Sequence, residues 1–321
     1  MITPDEIRRT YQEIQNQIVE TPMEYSPQLS KVTGARVFLK MEHLQNTGSF
    51  KLRGVLAKIN SVAEDDFKKI FVAASTGNHA AAFVHVSQER GFKSVLYLPE
   101  KVSPAKVKAI EHYDTEIRYF GNTSMETEMK AIAYAKEIGG ILIHPYNDRE
   151  IVKGQGTIGI EIEAQCPEVD TIIAPIGGGG LISGICCYFN EHEKIEVVGC
   201  QPENASEMYD SLKIGHAVPS STLATISDAT AGGIEKGSIT IDICDQYLST
   251  IELCSEEQIK QAVALIVTHH QTIIEPASAL GLAALMNTDR YKGKNVVLVL
   301  TGKKINTALL TQILSDYGSN N

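Results

Sequence analysis

The most regular feature of this chain is a series of short, almost wholly apolar runs, each followed by a longer stretch with apolar residues three and four apart. The runs lie at 37–39, 70–74, 95–98, 117–120, 141–143, 172–176, 197–199 and 296–300. A strand with one wet face alternates apolar and polar residues. A continuous run belongs to a strand covered on both faces. The helical periods between them include 123–138, 155–165, 256–270 and 277–287. This alternation predicts an α/β fold with mostly parallel sheets. Such sheets bind ligands beyond the carboxyl ends of their strands, so the residues just after each run are the place to look for chemistry. The first helix announces its start with Thr3, Pro4 at the first helical position and Glu6 three residues after the cap.

Composition narrows the function classes. The 321 residues carry a formal charge of −10, a poor match for general nucleic-acid binding. No run approaches the roughly 18 apolar residues of a membrane span. The polar, acidic start at 1–14 does not resemble a secretion signal, and the expected compartment is the cytoplasm. The six cysteines form no Cys-x-x-Cys pair and read as buried thiols. No Pro/Gly/Ser-rich linker divides the chain, and an interrupted domain is allowed. The tail at 317–321 reads as frayed.

Five motifs follow the apolar runs. Gly177, Gly178, Gly179 and Gly180 come after the run at 172–176 and open a helical stretch, where converging N–H groups and the helix dipole suit a phosphate. The pattern is neither the dinucleotide fingerprint, because Ser183 stands where a glycine is required, nor a P-loop, and a flexible turn is the alternative. Ser75-Thr76-Gly77-Asn78-His79 would suit a carboxylate, although taken alone it reads more readily as an ordinary helix cap. Lys51, between Phe50 and Leu52, opens an apolar helical pattern. A desolvated lysine there has a lowered pKa and can act as an amine nucleophile. Glu275-Pro276-Ala277 starts a helix, and Thr301 places a hydroxyl at the end of the most apolar run.

Together and in order, these motifs resemble the fold type II pyridoxal-phosphate enzymes, in particular the serine/threonine dehydratase and serine racemase family. The resemblance runs from about residue 5 to about residue 312. It also takes in Pro104-Ala105, His144-Pro145 and Gly154-Gln155-Gly156-Thr157. It implies the tryptophan synthase β-like fold, with two open, twisted, mostly parallel sheets in two domains: a large one from 1–61 and 147–321 and a small inserted one from 62–146. It implies pyridoxal 5′-phosphate held by Lys51 through a Schiff base, with the four glycines around the phosphate. Phe50 would pack beside the cofactor, Asn78 would bond the ring oxygen, and Glu275 and Thr301 would complete the site, Thr301 at the ring nitrogen. Ser75, Thr76 and His79 would take the substrate carboxylate. The implied reaction is removal of the Cα proton of a small β-hydroxy amino acid by Lys51. The hydroxyl would leave with help from the cofactor phosphate, giving a 2-oxo acid and ammonia. A neutral hydroxyl at the ring nitrogen suits elimination, since it does not stabilise a pyridinium as a carboxylate would.

Departures from the family pattern qualify these expectations. Thr76 stands where racemases of the family carry a serine base, so racemisation by Lys51 and Thr76 is the second reading. Ala231-Gly232-Gly233-Ile234-Glu235 and the Ser75-Thr76 spelling look like the hydroxyectoine-utilisation dehydratase branch. Glu235 is then a candidate substrate selector, or else a solvated loop carboxylate. Lys303 and Lys304 replace a small loop. Gln201, the Ala205 carbonyl and Glu207 match a segment that binds Mg2+ or Ca2+ in relatives, with no metal as the alternative. A homodimer and the absence of a regulatory domain complete what the resemblance implies.

Overall fold

A computed structural model describes residues 2–221 and 223–318. It contains ten strands: β1 (Met23–Ser26), β2 (Arg36–Lys40), β3 (Phe71–Ala74), β4 (Ser94–Leu98), β5 (Glu116–Tyr119), β6 (Ile141–Leu142), β7 (Thr171–Pro175), β8 (Glu196–Pro202), β9 (Thr250–Cys254) and β10 (Asn295–Val299). They form two sheets, ordered β1-β2-β10-β7-β8-β9 and β5-β4-β3-β6. Every pairing is parallel except β1 with β2.

The apolar runs are continuous because successive residues feed different cores. Val297 and Val299 point into one cluster with Ile172, Ala174 and the buried helix Gly180–Phe189, while Val296 and Leu298 enter another with the helices Glu256–His270 and Pro276–Met286. The smaller sheet does the same, with Phe71 and Ala73 on one side and Val72 and Ala74 on the other. β1 and β9 do not appear among the apolar runs. Both are edge strands with mixed exposure, and the sequences Met-Glu-Tyr-Ser and Thr-Ile-Glu-Leu-Cys carry too few consecutive apolar residues to stand out.

The expected cap at Thr3 is present as a reciprocal bond pair with Glu6. The helical period at 155–165 belongs to a longer helix, Arg149–Gln165, whose N-cap is Asp148. Its glycines obscure the pattern but serve close packing. A Cβ on Gly154 would sit 2.5 Å from the Arg53 carbonyl oxygen, and one on Gly184 2.5 Å from the Gly156 nitrogen. The helices Lys51–Asn60, Arg149–Gln165 and Gly180–Phe189 therefore lie backbone against backbone. This joins the lysine and the glycine loop into one rigid unit. All six cysteines are free and buried, as expected. Tyr317 ends the helix Thr307–Tyr317 and bonds Glu257, so the fraying expected from 317 onward does not include it; residues 319–321 lie outside the described residues. No helix among the described residues is long and apolar enough to cross a membrane.

Beneath the lysine helix lies a fully buried ion cluster. Arg53 donates five bonds, two to Glu42 at 2.8 Å each, two to Glu161 at 2.7 and 2.8 Å and one to the Thr157 hydroxyl at 3.3 Å. Lys40 donates to Glu161 at 2.5 Å and to the Thr21 carbonyl at 2.6 Å. Two cations and two anions cancel, which makes the burial tolerable. Burial disfavours the ionised Glu42, but the Arg53 guanidinium outweighs it and holds that carboxyl below the ordinary range.

Candidate active site

The carboxyl ends of both sheets open on one cavity of about 690 Å³, bordered by Ala74 at the end of β3, Pro175 at the end of β7 and Thr301 just beyond β10. Lys51 enters it as the first residue of its helix. The local chain is set by pairing with the end of β10: Ser49 forms an isolated bridge with Gly302, and the Phe50 amide donates to the Thr301 carbonyl at 3.1 Å. The Lys51 amine donates to the Pro145 carbonyl at 2.7 Å and sits 5.3 Å from the centre of the Phe50 ring. Burial lowers its pKa to about 8, against the opposing charges of Glu128 and Glu275. About a tenth of the amine is therefore neutral at pH 7, far more than for an ordinary lysine, and the neutral form is the one an amine nucleophile requires.

The glycine loop follows β7 directly. Gly179 has φ +89°, and a Cβ there would lie 2.7 Å from the Met208 methyl. A Cβ on Gly178 would lie 2.3 Å from the Tyr146 ring. Thr240 holds the loop by donating its hydroxyl to the Gly178 carbonyl at 2.7 Å. The helix that opens at Gly180 has no side-chain cap, so its first N–H groups are available to an anion at the cavity wall.

The segment after β3 begins the helix Asn78–Arg90, also without a side-chain cap, and places Ser75 and Thr76 on the cavity wall. Asn78 donates its amide to both Glu275 oxygens, at 2.8 and 2.9 Å, and its own buried amide oxygen has no partner among the described residues. Burial pushes the Glu275 carboxyl up to about 7. Thr301 is buried, with its hydroxyl 3.1 Å from that of Ser278, which also bonds both the N–H and the carbonyl of Gly302 at 2.8 Å. Ser278 and the Asn78–Glu275 pairing could not be read from sequence, because 197 residues separate the pair and Ser278 looks like an ordinary small helix residue.

Three expected residues sit differently from their expectation. His79 borders the cavity, but its Nε2–H donates to the Ile143 carbonyl at 2.8 Å, and burial lowers its pKa to about 3. Its ring is a neutral anchor of the small sheet and not a charged carboxylate ligand. Glu235 turns away from the cavity to a contact with the His144 Nε2 at 3.0 Å and a short bond from Asn147, while its backbone N–H donates to the Tyr146 hydroxyl at 2.9 Å. Gln201 donates its amide to the Ile176 and Ala205 carbonyls at 3.3 Å each and accepts from the Tyr209 N–H at 2.9 Å. Its nitrogen therefore stands toward the very carbonyl a cation would need, and Glu207 is engaged by the Ser221 N–H at 2.8 Å. These three residues do not fit a divalent cation. Among the described residues no group of three or more His, Cys, Asp or Glu side chains is placed to hold one.

Three charged wall residues were not anticipated: Lys106 and Asp228, which pair with each other at 2.8 Å, and Glu128, from the helix Ser124–Glu137 of the smaller sheet's unit. Its helix has no motif that marks it in the sequence.

The family described as pyridoxal-phosphate dependent enzyme matches residues 14–302. This chain belongs to that family. An L-threonine ammonia-lyase from Thermotoga maritima is 33% identical to this pyridoxal-phosphate enzyme over 317 residues, covering 98% of the chain and 79% of the relative. The catabolic L-threonine dehydratase TdcB of Escherichia coli is 32% identical over 313 residues, covering 96% and 95%. Among solved structures, a serine racemase from Dictyostelium discoideum superimposes with a TM-score of 0.87 at 31% identity, covering 95% of this enzyme and 99% of that chain. The fold is that of the fold type II pyridoxal-phosphate enzymes.

The cavity fits the cofactor this family uses. The uncapped N–H cradle suits its phosphate, a partly neutral amine suits its aldehyde, and the unpartnered Asn78 oxygen and the Thr301 hydroxyl remain for the ring. Gly178→Ala would push a methyl group into Tyr146, and cofactor affinity is expected to fall at least tenfold with little change in secondary structure. Equilibrium dialysis against the cofactor measures this. Because the Lys51 pKa is lowered to about 8, the neutral fraction rises through that pH. Cofactor capture by the apoenzyme is expected to accelerate as pH rises and to level off above it. Stopped-flow absorbance across pH 6–10 reads the midpoint, and a midpoint near the ordinary lysine value of 10.5 would contradict the desolvated state.

Proposed function

We propose that this enzyme is an ammonia-lyase that converts L-threonine, L-serine or a related small β-hydroxy amino acid to a 2-oxo acid and ammonia. The observation that carries the reading is the joint presence, in one cavity, of the partly neutral Lys51 amine and the uncapped glycine cradle, with an uncharged hydroxyl at Thr301. Lys51, Phe50, the four glycines, Asn78, Glu275 and Thr301 would hold pyridoxal phosphate. When bound, the cofactor supplies the electron sink that makes the Cα–H bond acidic. The protein does the rest. The uncapped start of the helix Asn78–Arg90, with Ser75 and Thr76, binds and orients the substrate carboxylate through N–H and hydroxyl donors. Lys51 takes the Cα proton at its Nζ, and its lowered pKa matches that task near neutral pH. The apolar walls around Phe50 and Tyr146 restrict water. The working unit is read as a large part, 1–61 with 147–321, and a small part, 62–146, with the cavity between them.

A second reading has its own observation. The Thr76 hydroxyl lines the same cavity as Lys51, as a second proton carrier for racemisation would need to. Incubation with L-serine followed by chiral chromatography separates the two. The ammonia-lyase gives pyruvate in large excess over D-serine, and D-serine in excess would replace the first reading with the second.

A further inference from the structure

Glu128 is the one carboxylate of the cavity wall without a partner among the described residues. It is half-buried on the wall, and it makes no hydrogen bond or ion pair with any described residue. Its charged neighbours are otherwise engaged: Lys106 with Asp228 at 2.8 Å, Glu235 with His144 at 3.0 Å, and Glu275 with Asn78. The titratable groups that act on Glu128 or feel its charge are the Lys51 amine, Glu235 and Tyr146. A carboxyl kept out of water without a partner is stable when protonated, and it then has an O–H to donate into the cavity. Burial pushes this one up to about 8, with Glu235 adding to the rise and Lys51 opposing it.

We propose that Glu128 is the general acid for the leaving hydroxyl, a catalytic residue that touches the substrate oxygen from the small-sheet side. This rests on the ammonia-lyase reading and deepens it, because the proton for the leaving group then comes from the protein and not from the cofactor phosphate. Lys51 takes the Cα proton, and the Cα–H electron pair becomes the Cα=Cβ bond. The Cβ–O bond breaks with its pair on oxygen, and that oxygen takes the Glu128 proton to leave as water. The carboxylate left behind recovers a proton from solvent through the open side of the cavity.

The test compares leaving groups that do and do not need a proton. In Glu128→Gln, elimination from L-serine and L-threonine is expected to fall about 100-fold or more, in the range a positioned acid supplies. Elimination of chloride from β-chloro-L-alanine is expected to stay within about threefold. The alkaline limb of the wild-type kcat profile with L-serine, set near pH 8, is expected to be missing from the residual activity of the variant. Infrared difference spectra give a readout independent of turnover: a protonated-carboxyl band that titrates near pH 8 in the wild type and is absent from Glu128→Gln. Equal losses with both leaving groups, no loss with either, or no such band would overturn the proposal. If the wild type releases chloride from β-chloro-L-alanine but water from no β-hydroxy amino acid, the ammonia-lyase reading falls and this inference falls with it.

Discussion

Lys51→Ala is expected to abolish the visible absorption of the purified enzyme and to lower ammonia release by about 10⁴-fold, the upper end of what one positioned acid–base group supplies. Two losses combine in this one change. The amine that would anchor the cofactor disappears, and so does the group that would move the Cα proton. The effect should be local. Lys51 bonds only the Pro145 carbonyl, and it lies at the first position of its helix, where no intrahelical bond depends on its side chain. Circular dichroism and melting temperature should therefore stay close to those of the parent. Lys51→Arg provides the control for charge. It keeps a cation at the site, but its guanidinium stays protonated at every accessible pH and supplies no neutral amine. It should be as inactive as the alanine variant. Either variant retaining more than about 1% of activity would move the proton transfer to another residue.

Arg53→Ala is expected to give the largest loss of stability, about 3–5 kcal/mol, because removing one partner of a buried ion cluster leaves uncompensated charge. Four bonds to carboxylates and one to Thr157 disappear, and Glu42 and Glu161 are left with Lys40 as the remaining cation of the cluster. Arg53→Lys restores the charge but not the fork that reaches both carboxylates, so it should recover only part of the loss. Urea unfolding monitored by fluorescence and circular dichroism measures both. The pH dependence has a definite sign. Glu42 is held below its ordinary value of 4.5 in the folded state, so its share of the stability is complete above that value and is lost as pH falls through the lowered one. Arg53→Ala removes the cause of the lowering and should flatten the acid limb of the stability curve. Arg53 lies two residues after Lys51, and the cluster fixes the helix that aims the amine. Surviving Arg53→Ala protein should accordingly show weaker cofactor binding as well as lower stability.

Much of the architecture is legible along the chain because the parallel strands are covered on both faces. A strand such as β10, with Val296 and Leu298 on one side and Val297 and Val299 on the other, must be apolar throughout, and it stands out for that reason. The edge strands β1 and β9 face partners on one side only and lose that signature. The glycine loop and Lys51 are legible because their chemistry needs particular residue types at particular points after a strand. Other parts of the site are not, and each for a physical reason. Glu128 comes from the middle of an ordinary polar helix and acquires its environment only when the Lys51 segment closes the other side of the cavity. His79 and Glu235 look like ligands in sequence, but the Ile143 carbonyl takes up the His79 Nε2–H, and His144 and Asn147 take up the Glu235 carboxylate. Gln201 differs from a cation ligand by an amide nitrogen, and the bond accepted from the Tyr209 N–H decides which way that nitrogen points.

One cavity, organised by Lys51 and the glycine cradle, eliminates water and ammonia from a β-hydroxy amino acid. The most direct test of this is the stoichiometry of turnover with L-threonine and L-serine, with the cofactor saturating. Ammonia is measured by an enzyme-coupled assay and the 2-oxo acid by chromatography in the same samples. Equal amounts of the two products, formed at the same rate, are expected from at least one of these substrates or a close β-hydroxy relative. A fully loaded enzyme that consumes none of them, or that returns only the D-amino acid without ammonia, would contradict this reading.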